Sequence, residues 1–221
     1  MKLPGWRTAL GPPVGLILAL ALAACGSGSA AQPCRVCAAE LAQTRADTYA
    51  TVAKRTYAEE VYGTPNGAAF HVISRISALL DGLTTGDYAL ARSAMHHQPI
   101  RHAVAVRVTR GGRTLIDVGL RFVVGGRVHA LHNRQGTYLG RIEISIQDVI
   151  GFIRLIHRLT GCDVVVEGST GQAMSSLAAA SGVRLPDRGL VVVAGREYTV
   201  SSFAERGFAG EPLRVSILDP R

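Results

Sequence analysis

Residues 138–161, YLGRIEISIQDVIGFIRLIHRLTG, change hydrophobic period once, in the middle. Ile142, Ile144 and Ile146 alternate with Arg141, Glu143 and Ser145, the pattern of a strand with one apolar face and one polar face. From Val149 onward, Phe152, Ile153, Ile156 and Leu159 recur at intervals of three and four, the spacing of one buried helical stripe. Ser145 followed three residues later by Asp148 has the spacing of a capping box. Arg154, His157 and Arg158 sit toward the negative end of the helix dipole, and Gly161 supplies a left-handed stop. The pattern predicts a central strand and helix in which Ile153 packs on Ile144 while Arg141 and Glu143 face away.

Upstream, residues 37–62 read as one long alanine-rich helix with a thin apolar stripe of Ala42, Ala46, Tyr49, Ala53, Tyr57 and Val61, ended by Gly63 and Pro65. Asn66 is placed to cap a second helix with the stripe Phe70, Ile73, Ile76 and Leu80, and residues 87–95 form a third. Beyond His97 the pattern turns to strands. Val104, Val106 and Val108 alternate with polar or small residues, Gly111 and Gly112 make a turn, and residues 115–118 return as a hairpin. Residues 120–124 and 127–131 flank a second glycine pair, Gly125 and Gly126, with the same hairpin signal. After the central helix come a strand at 163–167 and a loose serine- and alanine-rich connection at 168–186. A hairpin of 190–193 with 197–202 follows, then a last strand at 213–218. Helices first, then antiparallel strands around a strand-helix-strand core, define an α+β fold with a long N-terminal helix packed on an antiparallel sheet.

The first residues are an address rather than part of that fold. Lys2 and Arg7 precede a short greasy run at 14–22, too short to span a bilayer, and Leu22-Ala23-Ala24-Cys25 follows. L-A-A-C is similar to the bacterial lipobox, which implies cleavage before Cys25 and lipid attachment to it. The organisation expected is a lipoprotein signal peptide at 1–24, a lipidated cysteine and flexible tether at 25–37, and a single domain at 38–221. An exported protein held at the outer face of the cell membrane by its lipid is the corresponding location. Lysine and arginine total 24 against 16 aspartates and glutamates, and an excess of basic charge remains once Lys2 and Arg7 are removed with the leader. That charge is scattered and aromatics make up only 5% of residues, so no basic and aromatic stripe for nucleic acid exists.

The order of elements, together with Y-A-E-E-V-Y-G at 57–63, I-D-V-G at 116–119, S-I-Q-D-V-I-G-F at 145–152, G-R-E-Y-T-V at 195–200 and P-L-R-V-S-I-L at 212–218, resembles the extracytoplasmic PAS-like sensor domains called Cache domains. The form it resembles occurs in exported proteins of high-GC Gram-positive bacteria. The resemblance covers residues 38–220. It implies a small molecule bound on the sheet, on the face covered by loops and short helices, and a signal passed to a membrane-protein partner, because the chain stops at Arg221 soon after the last strand. Polar residues at strand ends are then the ligand candidates: His102, Arg121, Tyr138 and Arg141, an arginine there clamping a carboxylate through its guanidinium fork.

Chemistry of other kinds has thinner support. Cys34-Arg35-Val36-Cys37 places two thiols near a helix N-terminus, where thiolate is favoured, but no strand precedes the pair and no histidine follows it. A disulfide between Cys34 and Cys37, a bond from one of them to Cys162, and thiol-disulfide exchange all remain open. His96, His97, His102, His129 and His132 have no known metal spacing, so no metal or cofactor is expected. Ser145, Ser201 and Ser202 have no histidine and acid arranged around them, and no enzyme activity is expected. The readings that follow are a non-catalytic sensor or binding domain, a thiol-disulfide protein using Cys34 and Cys37, and a structural envelope lipoprotein without ligand. The lipid address is tested on its own. Cys25→Ala should abolish metabolic labelling with a fatty-acid analogue and leave an unprocessed precursor on a gel, and labelling that survives the change would overturn the address.

Overall fold

The computed structural model describes residues 35–97 and 103–221. The leader, Cys25, Cys34 and His102 lie outside the described residues. Four helices come first: α1 (Arg35–Tyr62), α2 (Thr64–Ile73), α3 (Ser77–Thr85) and α4 (Tyr88–His97). Then come β1 (Ala105–Arg110), β2 (Arg113–Gly119), β3 (Arg127–His132) and β4 (Tyr138–Ser145), followed by α5 (Val149–Thr160). The chain finishes with β5 (Asp163–Gly168), β6 (Ala173–Ser175), β7 (Arg188–Val193), β8 (Arg196–Arg206) and β9 (Pro212–Pro220). The α+β class and the long N-terminal helix against antiparallel strands are as the pattern predicts.

The strands build two antiparallel sheets, β2-β1-β4-β3 and β6-β5-β9-β8-β7. In both, the first and last strands of the set are the central pair, β1 with β4 and β5 with β9, each carrying a hairpin partner on its outer side. The two sheets thus share one pairing plan, although no period repeats in the sequence.

The central strand and helix divide between these sheets. Ile142 and Ile144 are fully buried against α2, α3 and α4, in a cluster with Ile73, Leu79, Leu83 and Leu131. Val149, Phe152, Ile153 and Ile156 are buried in a different cluster, with Ala53 and Tyr57 of α1 and Val164, Val215 and Ile217 of the second sheet. Ile153 therefore does not pack on Ile144. The residues between β4 and α5 turn the chain from one core into the other. Leu159, the last member of the predicted stripe, is 56% exposed beyond the end of the sheet contact.

Local punctuation explains the helix ends, with two corrections. The α5 N-cap is Asp148, whose carboxylate accepts the Gly151 N–H, while Ser145 stays in the strand and donates to the Val124 carbonyl at 2.8 Å. Gly161 closes the helix at φ 72°, its N–H bonded to the His157 carbonyl. Asn66 is not a cap either. It lies inside α2, fully buried, and its amide donates to the Ile144 carbonyl at 2.8 Å, which ties the helix to the strand beneath it.

Residues 120–124 do not form a hairpin with β3. Their strand-like pairing is an isolated bridge from Val123 to Asp148, and β3 pairs with β4 instead. The glycine pair has another purpose: a Cβ on Gly125 would stand 2.5 Å from the Arg206 carbonyl oxygen and 2.7 Å from the Tyr57 hydroxyl. Glycine is needed there for close passage of backbone, not for a turn.

The second sheet is covered on both faces. One meets α1 and α5, and the other is packed by Ala180 and Leu185 from the 176–187 connection over Val165, Tyr198, Val200 and Leu218. Polar latches hold α1 in place: Arg45 bonds the nearly buried Asp219 at 2.6 Å, and Asp47 pairs with Arg188.

Ile144→Ala and Ile153→Ala should each cost about 2–5 kcal/mol, because both remove buried methyl groups and leave a cavity. Since the two side chains belong to separate clusters, the double variant should be additive within about 0.5 kcal/mol in denaturant titrations. A larger coupling would mean that the cores are one.

Candidate functional site

The face of the first sheet that carries Arg107 and Glu143 looks toward the second sheet's turns, and a polar cleft forms where they meet. It has a volume of about 460 Å³. One wall is the sheet, with Arg107, Asp117 and the chain leaving β2 at Gly119, Leu120 and Arg121. The other walls are the β5–β6 turn, with Ser169 and Gln172, and the turn Phe208–Gly210 with Glu211.

Each wall is held by its own bonds. Arg107 and Asp117 are cross-strand partners on β1 and β2, and their side chains meet at 2.7 Å. The Arg107 guanidinium also lies 5.4 Å from the Phe208 ring centroid, a cation-π contact, while its Nε is buried without a partner. Ser169 donates to Glu211 at 3.2 Å. Glu143, opposite Arg107 on β4, accepts the Ala209 N–H at 3.0 Å and so holds the Phe208–Gly210 turn against the sheet. Burial raises its carboxyl pKa above the usual value, against the Ala209 hydrogen bond and the charge of Arg107. Glu143 is half-buried, and the polar face of β4 is therefore an internal seam at its Glu143 end, with Ser145 fully buried beside it.

Arg121 is the exposed cation of this cleft and has no acidic partner among the described residues. The other candidates do not converge on it. Tyr138 is exposed at the start of β4, edge-on to the His132 ring at 5.6 Å, and Arg141 is exposed in mid-strand between Thr109 and Ala130. His102 lies outside the described residues. Arg107, Asp117, Ser169, Gln172 and Glu211 were not candidates. The alternation that predicts the β1–β2 hairpin places Arg107 and Asp117 across from each other, but nothing local brings the 169–172 turn or Glu211 beside them.

The sheet faces covered by short helices and loops are filled by apolar side chains rather than hollowed into a pocket. On the first of these, His129 stacks on Phe70 with ring centroids 4.1 Å apart, and burial, aided by the nearby Arg127 charge, lowers its pKa.

The two described cysteines lie in different parts of the fold. Cys37 is exposed on the first turns of α1, and Cys34 lies outside the described residues. Cys162 is a free buried thiol 3.9 Å from Asp219 Oδ1, pushed up to about 11 chiefly by burial, so the alternative of a bond from Cys34 or Cys37 to Cys162 is not found. The hydroxyls of Ser145 and Ser202 are committed to structural bonds with the Val124 carbonyl and with Ser216. Among the described residues no three His, Cys, Asp or Glu side chains gather as a metal site.

No protein-family model matches the chain, and no curated protein matches it. Solved structures do align with it. The Vibrio cholerae LuxQ periplasmic domain covers 84% of this chain and 98% of its own length, at 13% identity and a TM-score of 0.39. The ligand-binding domain of the Pseudomonas fluorescens chemoreceptor CtaA, solved with L-isoleucine, covers 84% and 92% at 9% identity and a TM-score of 0.37. A structure named methyl-accepting chemotaxis protein X covers 85% and 99% at 10% identity and a TM-score of 0.40.

The seam makes a measurable statement. Glu143→Ala should cost about 1–3 kcal/mol, because the Ala209 N–H loses its acceptor in a half-buried place. Glu143→Gln keeps an oxygen there and removes the burial cost of the charge. With the folded-state pKa raised above the ordinary 4.5, the native state holds its proton longer than the unfolded chain. The carboxyl's contribution is then fully present below that value and is lost as pH rises through the folded pKa. The Gln variant should accordingly gain on the natural protein as pH rises from 4 toward neutrality, read from denaturant midpoints at each pH, and a flat difference would show an exposed carboxylate.

Proposed function

We propose that this chain is an exported, non-catalytic binding or sensor domain, tethered through Cys25 to the outer face of the membrane, and that it holds a small acidic molecule in the cleft beside Arg121. The observation that carries this reading is a polar cleft, walled by one sheet and two turns, in which one guanidinium is unpaired while neighbouring side chains are already bonded. An unpaired arginine at the edge of a concave polar site offers a fork for a carboxylate, with the Gln172 side chain available for orientation. Asp117 and Glu211 give the same ligand a place for a positive or hydrogen-donating group. Such a domain would pass its state to a membrane-protein partner. No described helix is long and apolar enough to cross a membrane.

The reading as a structural envelope lipoprotein draws on the filled sheet faces, and the thiol-disulfide reading rests on Cys34 and Cys37 alone, since Cys162 is walled in. A thermal-shift screen of carboxylates, amino acids, purines and amines on the mature protein separates them. An acidic ligand at 100 times its dissociation constant should add about 2.7 kcal/mol to stability. Arg121→Ala should melt at the same temperature without ligand and lose the shift with it. Absence of a shift from every class would favour the structural reading, and a shift unchanged in Arg121→Ala would move the ligand elsewhere.

A further inference from the structure

A second concave surface lies away from the cleft, on the outer side of α5. A groove of about 950 Å³ runs between this helix and β6. Its apolar floor includes Ile150, Leu155 and Met174, with Ile150 45% exposed. Arg154, His157 and Arg158 stand along it, and no aspartate or glutamate lines it. The nearest carboxylates are engaged: Asp148 caps α5 through the Gly151 N–H, and Asp163 accepts from Ser176. Arg154 and Arg158 are exposed and have no ion pair among the described residues.

The strand beside the groove is also unfinished. β6 is the edge of its sheet and pairs with β5 alone. Gly168 donates to the Gln172 carbonyl and Ser176 to the Val164 carbonyl, so residues 172, 174 and 176 turn their backbone groups toward β5. The alternation leaves the N–H and C=O groups of Ala173 and Ser175 pointing to the open side. No proline, lysine or bulge blocks that edge between Ala173 and Ser175.

We infer that this groove docks an extended acidic segment of a partner protein, which adds a strand to the free edge of β6 and sets its carboxylates against Arg154 and Arg158. The three features match one occupant. An open edge supplies main-chain bonds, the apolar floor takes alternate side chains, and the unpaired arginines select for negative charge. A bilayer surface satisfies only the last of these, because it cannot enter a concave groove or bond a strand edge. This site is independent of the cleft at Arg121 and stands whether or not that cleft binds a small molecule.

The test uses the full chain and a fluorescein-labelled peptide that alternates glutamate with valine. The same peptide with lysine in place of glutamate serves as control, together with phosphatidylglycerol vesicles. The acidic peptide should bind, more weakly as salt is raised, and protect the amides of Ala173 and Ser175 from hydrogen exchange, while the lysine peptide should not bind. Arg154→Glu with Arg158→Glu should weaken binding at least tenfold. Ala173→Pro, which removes an outward N–H that β5 does not use, should do the same without lowering the melting temperature. Arg154→Gln with Arg158→Gln gives a milder reading of the same charges should the reversal disturb the fold. Failure of the acidic peptide to bind, equal binding to the variants, or binding without protection at Ala173 and Ser175 would overturn the inference. Vesicle binding in place of peptide binding would overturn it in favour of a lipid contact.

Discussion

The Tyr57 hydroxyl is the point on which the separate parts of this structure are joined. It donates to the Arg206 carbonyl at 2.6 Å and accepts the Gly125 N–H at 2.8 Å, while its ring meets Phe152 edge-on at 5.6 Å. One side chain of α1 thereby ties the end of β8, the segment between β2 and β3, and the face of α5. The phenol is buried, and burial raises its pKa, so it remains a neutral donor and acceptor at any pH the fold survives. A buried donor or acceptor left without this partner would cost about 1–3 kcal/mol, which is why the geometry around it is narrow. Gly125 is the other half of the constraint, since a side chain there would occupy the space of the two atoms it serves.

From that junction the molecule reads as two packing units with a seam. The first sheet closes on α2, α3 and α4, and the second on α1 and α5, while the chain crosses from one to the other between β4 and α5. Where the units face each other, one small apolar cluster is made by Ala105, Val123 and Phe208 with Val104 beside them. The seam is held instead by polar bonds from Glu143, Ser145 and Tyr57. A polar seam between two apolar cores is the natural place for a ligand cleft, because the surrounding groups already require hydrogen-bonding partners and water is already at hand. It is also where a ligand bridging the Arg121 side and the Glu211 side would act on the relation between the sheets.

The latches along α1 fit the same scheme. Arg45 with Asp219 and Asp47 with Arg188 fasten the amino-terminal half of the helix to the second sheet, whereas Tyr57 and Val61 reach the seam at its other end. Small side chains at Ala46, Ala50 and Ala53 let the helix lie low over the sheet.

Periods of two and 3.6 carry the local part of this fold. The β1–β2 hairpin, the β7–β8 hairpin, the burial of Val149, Phe152, Ile153 and Ile156, the length of α1 and the stop at Gly161 all follow from residues within a few positions of one another. Arg121 was legible as a polar residue at a strand end. Which apolar face meets which is a matter of long-range packing. Ile144 and Ile153 carry equally clear stripes, yet a stripe states that a face is buried without naming its partner, and these two went to different cores. Gly125 and Gly126 have the composition of a hairpin turn, and only the approach of Tyr57 and Arg206 shows that the requirement was closeness rather than reversal. Glu143 belongs to the polar half of an alternating strand, and its burial comes from the Phe208–Gly210 turn, more than sixty positions away. The cleft is assembled in the same way, from β1, β2, the β5–β6 turn and Glu211, because polar residues distant in the chain become a site only when strand pairing and core packing have already placed the backbones that carry them.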